Sequence, residues 1–192
     1  MSKRVVVAIS GSSAPIYGIR LLQVLRDLEV ETHLVLSAAS HQTIAIEAAP
    51  LTAKDVKALA TFTHESRNVA APISSGSFRT DGMVVAPCSM KTLAAIAHGF
   101  GDGLVARAAD VTLKERRRLI LVPRETPLHL GHLRNMAAVT EMGAVVLPPV
   151  PAFYHRPRSI DDLIDHTVGK MLDLLGIEHA LFKRWDGPPD EA

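Results

Sequence analysis

The 192-residue chain has a single cysteine, Cys88, so no internal disulfide is open to it, and that usage fits a reducing compartment. Charge of one sign is never in excess: 21 Lys+Arg stand against 20 Asp+Glu. That balance gives no electrostatic ground for a nucleic-acid or anionic-membrane partner. No apolar run reaches the roughly 18 residues that a membrane span needs. Met1-Ser2-Lys3-Arg4 leads straight into a strand, without the apolar core and cleavage site of a secretory signal. The chain is therefore expected in the cytoplasm. Internal repeats and dividing linkers are also missing, which leaves one domain over residues 1–192. What is abundant is apolar side chains, 47% of the sequence. With a mean hydropathy of +0.18, that surplus points to an oligomer burying part of each subunit's surface.

Val5–Ile9 is a short, β-branched, wholly apolar run, the pattern of a central parallel strand. A turn over Ser10–Ala14 leads to a helix over Ile16–Leu28. Thr32–Leu36 reads as the next strand, with a helix following to about Ala49. Thr52 is placed to cap a further helical stretch. Ala71–Gly82, rich in Ser, Gly and Pro, reads as a long loop before a third strand at Met83–Ala86. Ser89 caps a helix through His98, and another covers Gly103–Glu115. Leu119–Val122 is a fourth strand, Leu130–Met142 a helix, and Ala144–Leu147 a fifth strand. Pro148–Pro157 is too rich in proline for regular structure, and Ser159 or Asp161 opens the last helix. Strands alternating with helices at this spacing predict an α/β fold with a doubly wound parallel sheet.

Ligands of such sheets bind outside the carboxyl ends of the strands. Ser10–Gly18, the stretch from Ser37, Pro87–Thr92 and Pro123–Pro127 all fall there. Gly11 lets the backbone approach a ligand, and Ser12 and Ser13 offer hydroxyls beside a helix N-terminus. That turn is neither GxGxxG nor GxxxxGKS/T, so an ordinary capped turn stands beside the phosphate reading. Lys91 in a first helical turn opposes the helix dipole; a bound anion would remove the conflict and is the favoured reading over a solvated surface lysine. Arg124-Glu125 follows a buried strand and so faces the ligand crevice. Its guanidinium suits bidentate phosphate binding and its carboxylate proton transfer. Phe153 and Tyr154, stiffened by prolines, fit either a cover for a flat ring or a subunit contact. Cys88 reads as a small core residue, and His129 and His132, without a third ligand, as surface or capping histidines.

Taken together, Gly11–Gly18, Ser37, Pro87-Cys88-Ser89-Met90-Lys91-Thr92, Arg107–Val111, Leu113–Arg117, Arg124-Glu125-Thr126-Pro127 and Pro151-Ala152-Phe153-Tyr154 resemble the UbiX flavin prenyltransferases. The likeness runs from Arg4 to about Trp185, which matches a family tryptophan. It implies a flavodoxin-like Rossmann fold assembled as a dodecamer of trimers. It also implies that reduced FMN and dimethylallyl monophosphate are joined at flavin N5 and C6. The product, prenylated FMN, would serve a UbiD-type decarboxylase, often in ubiquinone synthesis. By matching position, the resemblance assigns FMN to Gly11, Ser12, Ser13, Ser37, Ser89, Met90, Lys91, Thr92 and Arg124. It assigns the prenyl phosphate to Tyr154 and Lys170, with Arg107, Lys114, Arg124 and Glu125 around it, and gives proton movement to Glu47 and Glu125. No metal is implied, because Lys and Arg supply the charge that an Asp-bound Mg2+ supplies in many other prenyltransferases. Two departures stand out: Ala14 replaces a usual glycine, and position 170 is Lys where some members have Arg. A flavin-dependent cysteine decarboxylase, which resembles this fold, and a non-catalytic flavin carrier are the competing readings.

Overall fold

The computed structural model describes residues 3–101, 103–185 and 187. The two ends of the expected 1–192 domain, Met1-Ser2 and residues 188–192, lie outside the described residues. Six strands form one sheet in the order β3-β2-β1-β4-β5-β6: β1 (Arg4–Ile9), β2 (Glu31–Leu36), β3 (Phe62–His64), β4 (Gly82–Cys88), β5 (Arg118–Pro123) and β6 (Val145–Val146). All pairings are parallel. The helices are α1 (Ile16–Asp27), α2 (Ala38–Glu47), α3 (Ala53–Lys57), α4 (Met90–Ala97), α5 (Leu104–Lys114), α6 (Leu130–Glu141) and α7 (Ile160–Leu174).

Strand alternation sorts the core into two layers. From β1, Val5, Val7 and Ile9 join Leu21, Leu22 and Leu25 of α1 and Val168, Met171 and Leu172 of α7. Val6 and Ala8 face the other way, toward Leu93 of α4, Leu104 and Ala108 of α5 and Val139 of α6. All seven residues of β4 are buried, as expected for a strand covered on both faces. Gly18 brings α1 hard against the sheet: a Cβ there would lie 2.2 Å from the Ala86 carbonyl oxygen. Arg20 of α1 also grips Asp165 of α7 through Nε at 2.6 Å and Nη2 at 3.1 Å.

The sequence-predicted caps are present. Ser89 and Ser159 each accept from a backbone N–H in the first turn of α4 and α7, and Thr52 forms a capping box with Asp55; Ser37, which the sequence reading did not mark as a cap, does the same for α2. The predicted order of elements also holds, with two corrections. A sixth strand, β3, went unread because three residues are too few to show a period. The strand read as Met83–Ala86 continues through Pro87 to Cys88, with its register to β5 shifted between Val85 and Cys88. Among the described residues no helix is long and apolar enough to cross a membrane.

Candidate active site

The sheet order reverses between β1 and β4, since β2 lies beyond one and β5 beyond the other. The carboxyl ends of these two strands therefore open the crevice in which such folds bind ligands. Ser10, 1% exposed, fastens the crevice. Its hydroxyl donates to the Pro87 carbonyl at 2.8 Å and accepts from the Ser89 N–H at 2.7 Å. One side chain thus ties the turn after β1 to the loop after β4.

A hollow of about 420 Å3 opens beside that tie, lined by Gly11, Ser37, Ser89, Lys91 and Thr92 among others. Its size lies within the range of about 300–1,000 Å3 usual for small-molecule sites. Gly11 has no room for a side chain, because a Cβ would meet Cβ of Ala39 at 2.2 Å. Bare backbone therefore faces the hollow. The N-termini of α2 and α4, capped by Ser37 and Ser89, both open on it, and their N–H groups favour an anion. Ser89 Oγ and Thr92 Oγ1 lie 3.0 Å apart in the first turn of α4. Met90 is partly buried against the core beneath. Ser12 and Ser13 lie in the turn between β1 and α1.

That turn is held by Glu47, which accepts from the Ser13 hydroxyl at 3.0 Å and the Ala14 N–H at 2.7 Å. Ala14 sits at φ 69°, so the alanine adopts the left-handed backbone that a glycine takes freely. Cys88 is wholly buried and desolvation pushes its thiol up to about 12, which makes it a core residue and no nucleophile. His129 caps α6 by accepting from the Gly131 N–H, and the His132 ring lies tilted beside it, with centroids 3.6 Å apart. Among the described residues no three His, Cys, Asp or Glu side chains gather as metal ligands.

The remaining predicted residues fall in two other places. Arg124, just past the end of β5, and Thr167 of α7 both act on the hydroxyl of Tyr17 in α1. Burial raises the Tyr17 hydroxyl above its ordinary range, while the Thr167 bond and the Arg124 charge act against that shift. Glu125 follows, accepting from the Thr126 N–H at 3.2 Å. On the same α7 side Tyr154 meets Trp185 edge-on, with centroids 6.0 Å apart. Lys170 of α7 reaches Asp173 at 3.6 Å.

Arg107 and Lys114 lie on α5 instead, in a hollow of about 570 Å3 bordered by Phe100 and Met142 that adjoins the first at Ala95 and Ala106. Arg107 pairs with Asp110 at 2.7 Å and donates to the Ser74 carbonyl; Lys114 pairs with Glu115. Since α5 starts at the 420 Å3 hollow with Leu104, its far end at Lys114 lies about 15 Å from it along the axis. Arg107 and Lys114 find their partners at Ser74, Asp110 and Glu115, and share none with Tyr154 or Lys170, which turn to His166 and Asp173. Sequence reading also missed Ser66 and Arg67, which line the hollow because β3 delivers them to the carboxyl edge of the sheet.

A doubly wound sheet whose switch point carries a glycine- and serine-lined anion cradle defines a nucleotide-cofactor α/β protein. The comparisons give the cofactor class, since the Flavoprotein family model matches residues 1–184. Flavin prenyltransferase UbiX of Escherichia coli K12 is 58% identical over 188 residues, covering 96% of this chain and 99% of that protein. A crystal structure of AnUbiX (PadA1), in complex with FMN and dimethylallyl pyrophosphate, superposes with a TM-score of 0.96 at 55% identity, covering 98% of this chain and all of that one. A dodecameric FMN-dependent UbiX-like decarboxylase from Escherichia coli O157:H7 gives 0.93 at 53% identity, covering 96% and 100% of the two chains. The chain belongs to the UbiX flavin prenyltransferase family and has its flavodoxin-like fold. It is a flavin prenyltransferase.

Proposed function

We propose that the chain, working as one FMN-binding domain over residues 1–192, joins the dimethylallyl group of dimethylallyl monophosphate to N5 and C6 of reduced FMN. The prenylated FMN then passes to a UbiD-type decarboxylase. The observation that carries this reading is the pairing of an anion cradle at the switch point with a second cationic group at Arg124, Tyr154 and Lys170. Two phosphate-bearing reactants need two such places. The related AnUbiX holds FMN together with dimethylallyl pyrophosphate.

Gly11, Ser12, Ser13, Ser37, Ser89, Met90, Lys91 and Thr92 would hold the FMN, with its phosphate at the α2 and α4 N-termini and Arg124 reaching in from β5. Reduced FMN supplies the electron-rich N5 and C6. Breaking an allylic C–O bond gathers negative charge on the departing phosphate, which Lys170, Arg124 and the Tyr154 hydroxyl stabilise in place. Glu125 accepts and returns a proton beside them, and Glu47 keeps the first turn in shape while presenting a second carboxylate to it. Arg107 and Lys114 join this group from neighbouring copies, in a dodecamer of trimers like the dodecameric relative. Phe100 and Phe153, 66% and 70% exposed, are side chains that such contacts would cover. The cytoplasm is the compartment proposed, supported by the one unpaired thiol.

The test is anaerobic incubation with reduced FMN and dimethylallyl monophosphate, followed by the mass of the extracted flavin. A gain of one C5 prenyl unit is expected. Unchanged FMN with either the mono- or the diphosphate would overturn the reading. Glu125→Gln should still bind FMN and lose prenylation, and wild-type turnover would remove Glu125 from proton transfer.

A further inference from the structure

Tyr154 is not alone in the stiff segment before α7. Its hydroxyl meets Nε2 of His166 at 2.8 Å, with the rings nearly perpendicular at 80°. His166 is buried, 8% exposed, and fixed between rings. His155 stacks on it at 4.7 Å and 5°, and Phe182 closes in at 4.7 Å. The imidazole therefore has no room to turn away. Lys170 stands four residues on, one helical turn along the same face of α7. Both groups read as holding the prenyl phosphate are thus arranged around this one ring.

A neutral imidazole has one N–H donor and one acceptor, and a tyrosine hydroxyl has one proton. If Nε2 accepts, the tyrosine proton is committed to His166, and Oη offers only lone pairs to a phosphate oxygen. If Nε2 carries the hydrogen, it donates to Oη and leaves the tyrosine proton for the phosphate. We propose that His166 is a positioning residue for prenyl transfer, donating from Nε2 to Tyr154 Oη and so turning the Tyr154 hydroxyl into a donor to the prenyl phosphate. This rests on the reading of Tyr154 as a phosphate ligand. Burial, then the neighbouring His155 and Lys170, hold the His166 ring below the ordinary imidazole range against the pull of Asp173. The ring is neutral at neutral pH, and its tautomer follows the phosphate. As charge builds on the departing oxygen, the hydroxyl aimed at it strengthens its bond.

The full-length protein is assayed for KM and kcat toward dimethylallyl monophosphate, with FMN affinity as the control for an intact fold. His166→Phe fills the ring slot and His166→Leu does not; whichever keeps FMN affinity is the variant read. It should raise KM about tenfold, as Tyr154→Phe should, with the double variant no worse than either single one. His166→Gln, whose amide N–H2 donates from nearly the place of Nε2, should restore KM to within about threefold of wild type. If Tyr154→Phe raises KM and the His166 variant does not, this inference alone falls. If Tyr154→Phe leaves KM unchanged, the phosphate reading of Tyr154 falls with it. Additive losses in the double variant, or failure of Gln to restore KM, would also overturn it.

Discussion

At the scale of single residues, Ala14 carries the plainest strain. Its Cβ crowds the backbone at φ 69°, a conformation that costs an L-residue roughly 1–2 kcal/mol. Glycine would remove that cost and add about 0.5–1 kcal/mol of unfolded-state entropy. Ala14→Gly is therefore expected to stabilise the protein by up to about 1 kcal/mol, read as a higher urea midpoint with an unchanged slope. A lower midpoint would show that the turn needs its methyl group. That position 14 departs from the family was legible in the sequence. What holds the turn was not, because Glu47 lies 33 residues further on. The tie made by Ser10 was hidden for the same reason: it reads as the first residue of a turn, and its two partners are 77 and 79 residues away. Local pattern reveals caps such as Thr52 and Ser89, whose partners are three residues off, and says nothing of bonds closed by the fold.

Among the elements, the sheet edge is the most sensitive to acid. Glu31 of β2 accepts from Arg4 of β1 and from Nε2 of His33, leaving His33 Nδ1 to accept from Nε2 of His64 on β3 at 2.9 Å. The Arg4 bond, then His33, hold the Glu31 carboxyl below its ordinary value, while burial and then His33 hold the His64 imidazole below its own. Each contribution to stability is complete above the group's ordinary value and is lost as pH falls through the lowered one. For His64 that loss begins below about pH 6.5, and for Glu31 in the carboxylate range beneath it. Amide exchange at Phe62–His64 should accordingly quicken between about pH 7.5 and 5.5 relative to Val84 in the central strand. Equal protection at both values would count against the relay. The short β3 is also where sequence reading failed most. A strand of three residues leaves no periodicity, and without it nothing marks Ser66 and Arg67 as crevice residues. The longer strands and the capped helices were legible because each carries several residues of one period.

For the molecule as a whole, the division of the predicted residues is the informative feature. Arg107 and Lys114 lie on the outer part of α5, while Arg124, Tyr154 and Lys170 cluster by α7. If the copies complete one another, Lys114→Ala and Arg124→Ala proteins, each inactive, should regain activity once unfolded and refolded together. Random mixing of equal amounts leaves both residues intact in about a quarter of the sites, and that share of wild-type activity is expected. No recovery would place all the required residues within one chain. Arg124 and Tyr154 stand out in the sequence by their places after a buried strand and among prolines, and Arg107, Lys114 and Lys170 through family likeness; their separation is a matter of where α5 points, which no local pattern encodes. The buried thiol has a practical consequence at this scale. With Cys88 sealed in the core and its thiol pushed up to about 12, the folded molecule presents no reactive thiol to solvent. A cysteine introduced at an exposed position such as Asp27, at the end of α1, would then be a unique attachment point for a dye or spin label, reporting subunit exchange without prior removal of the native residue.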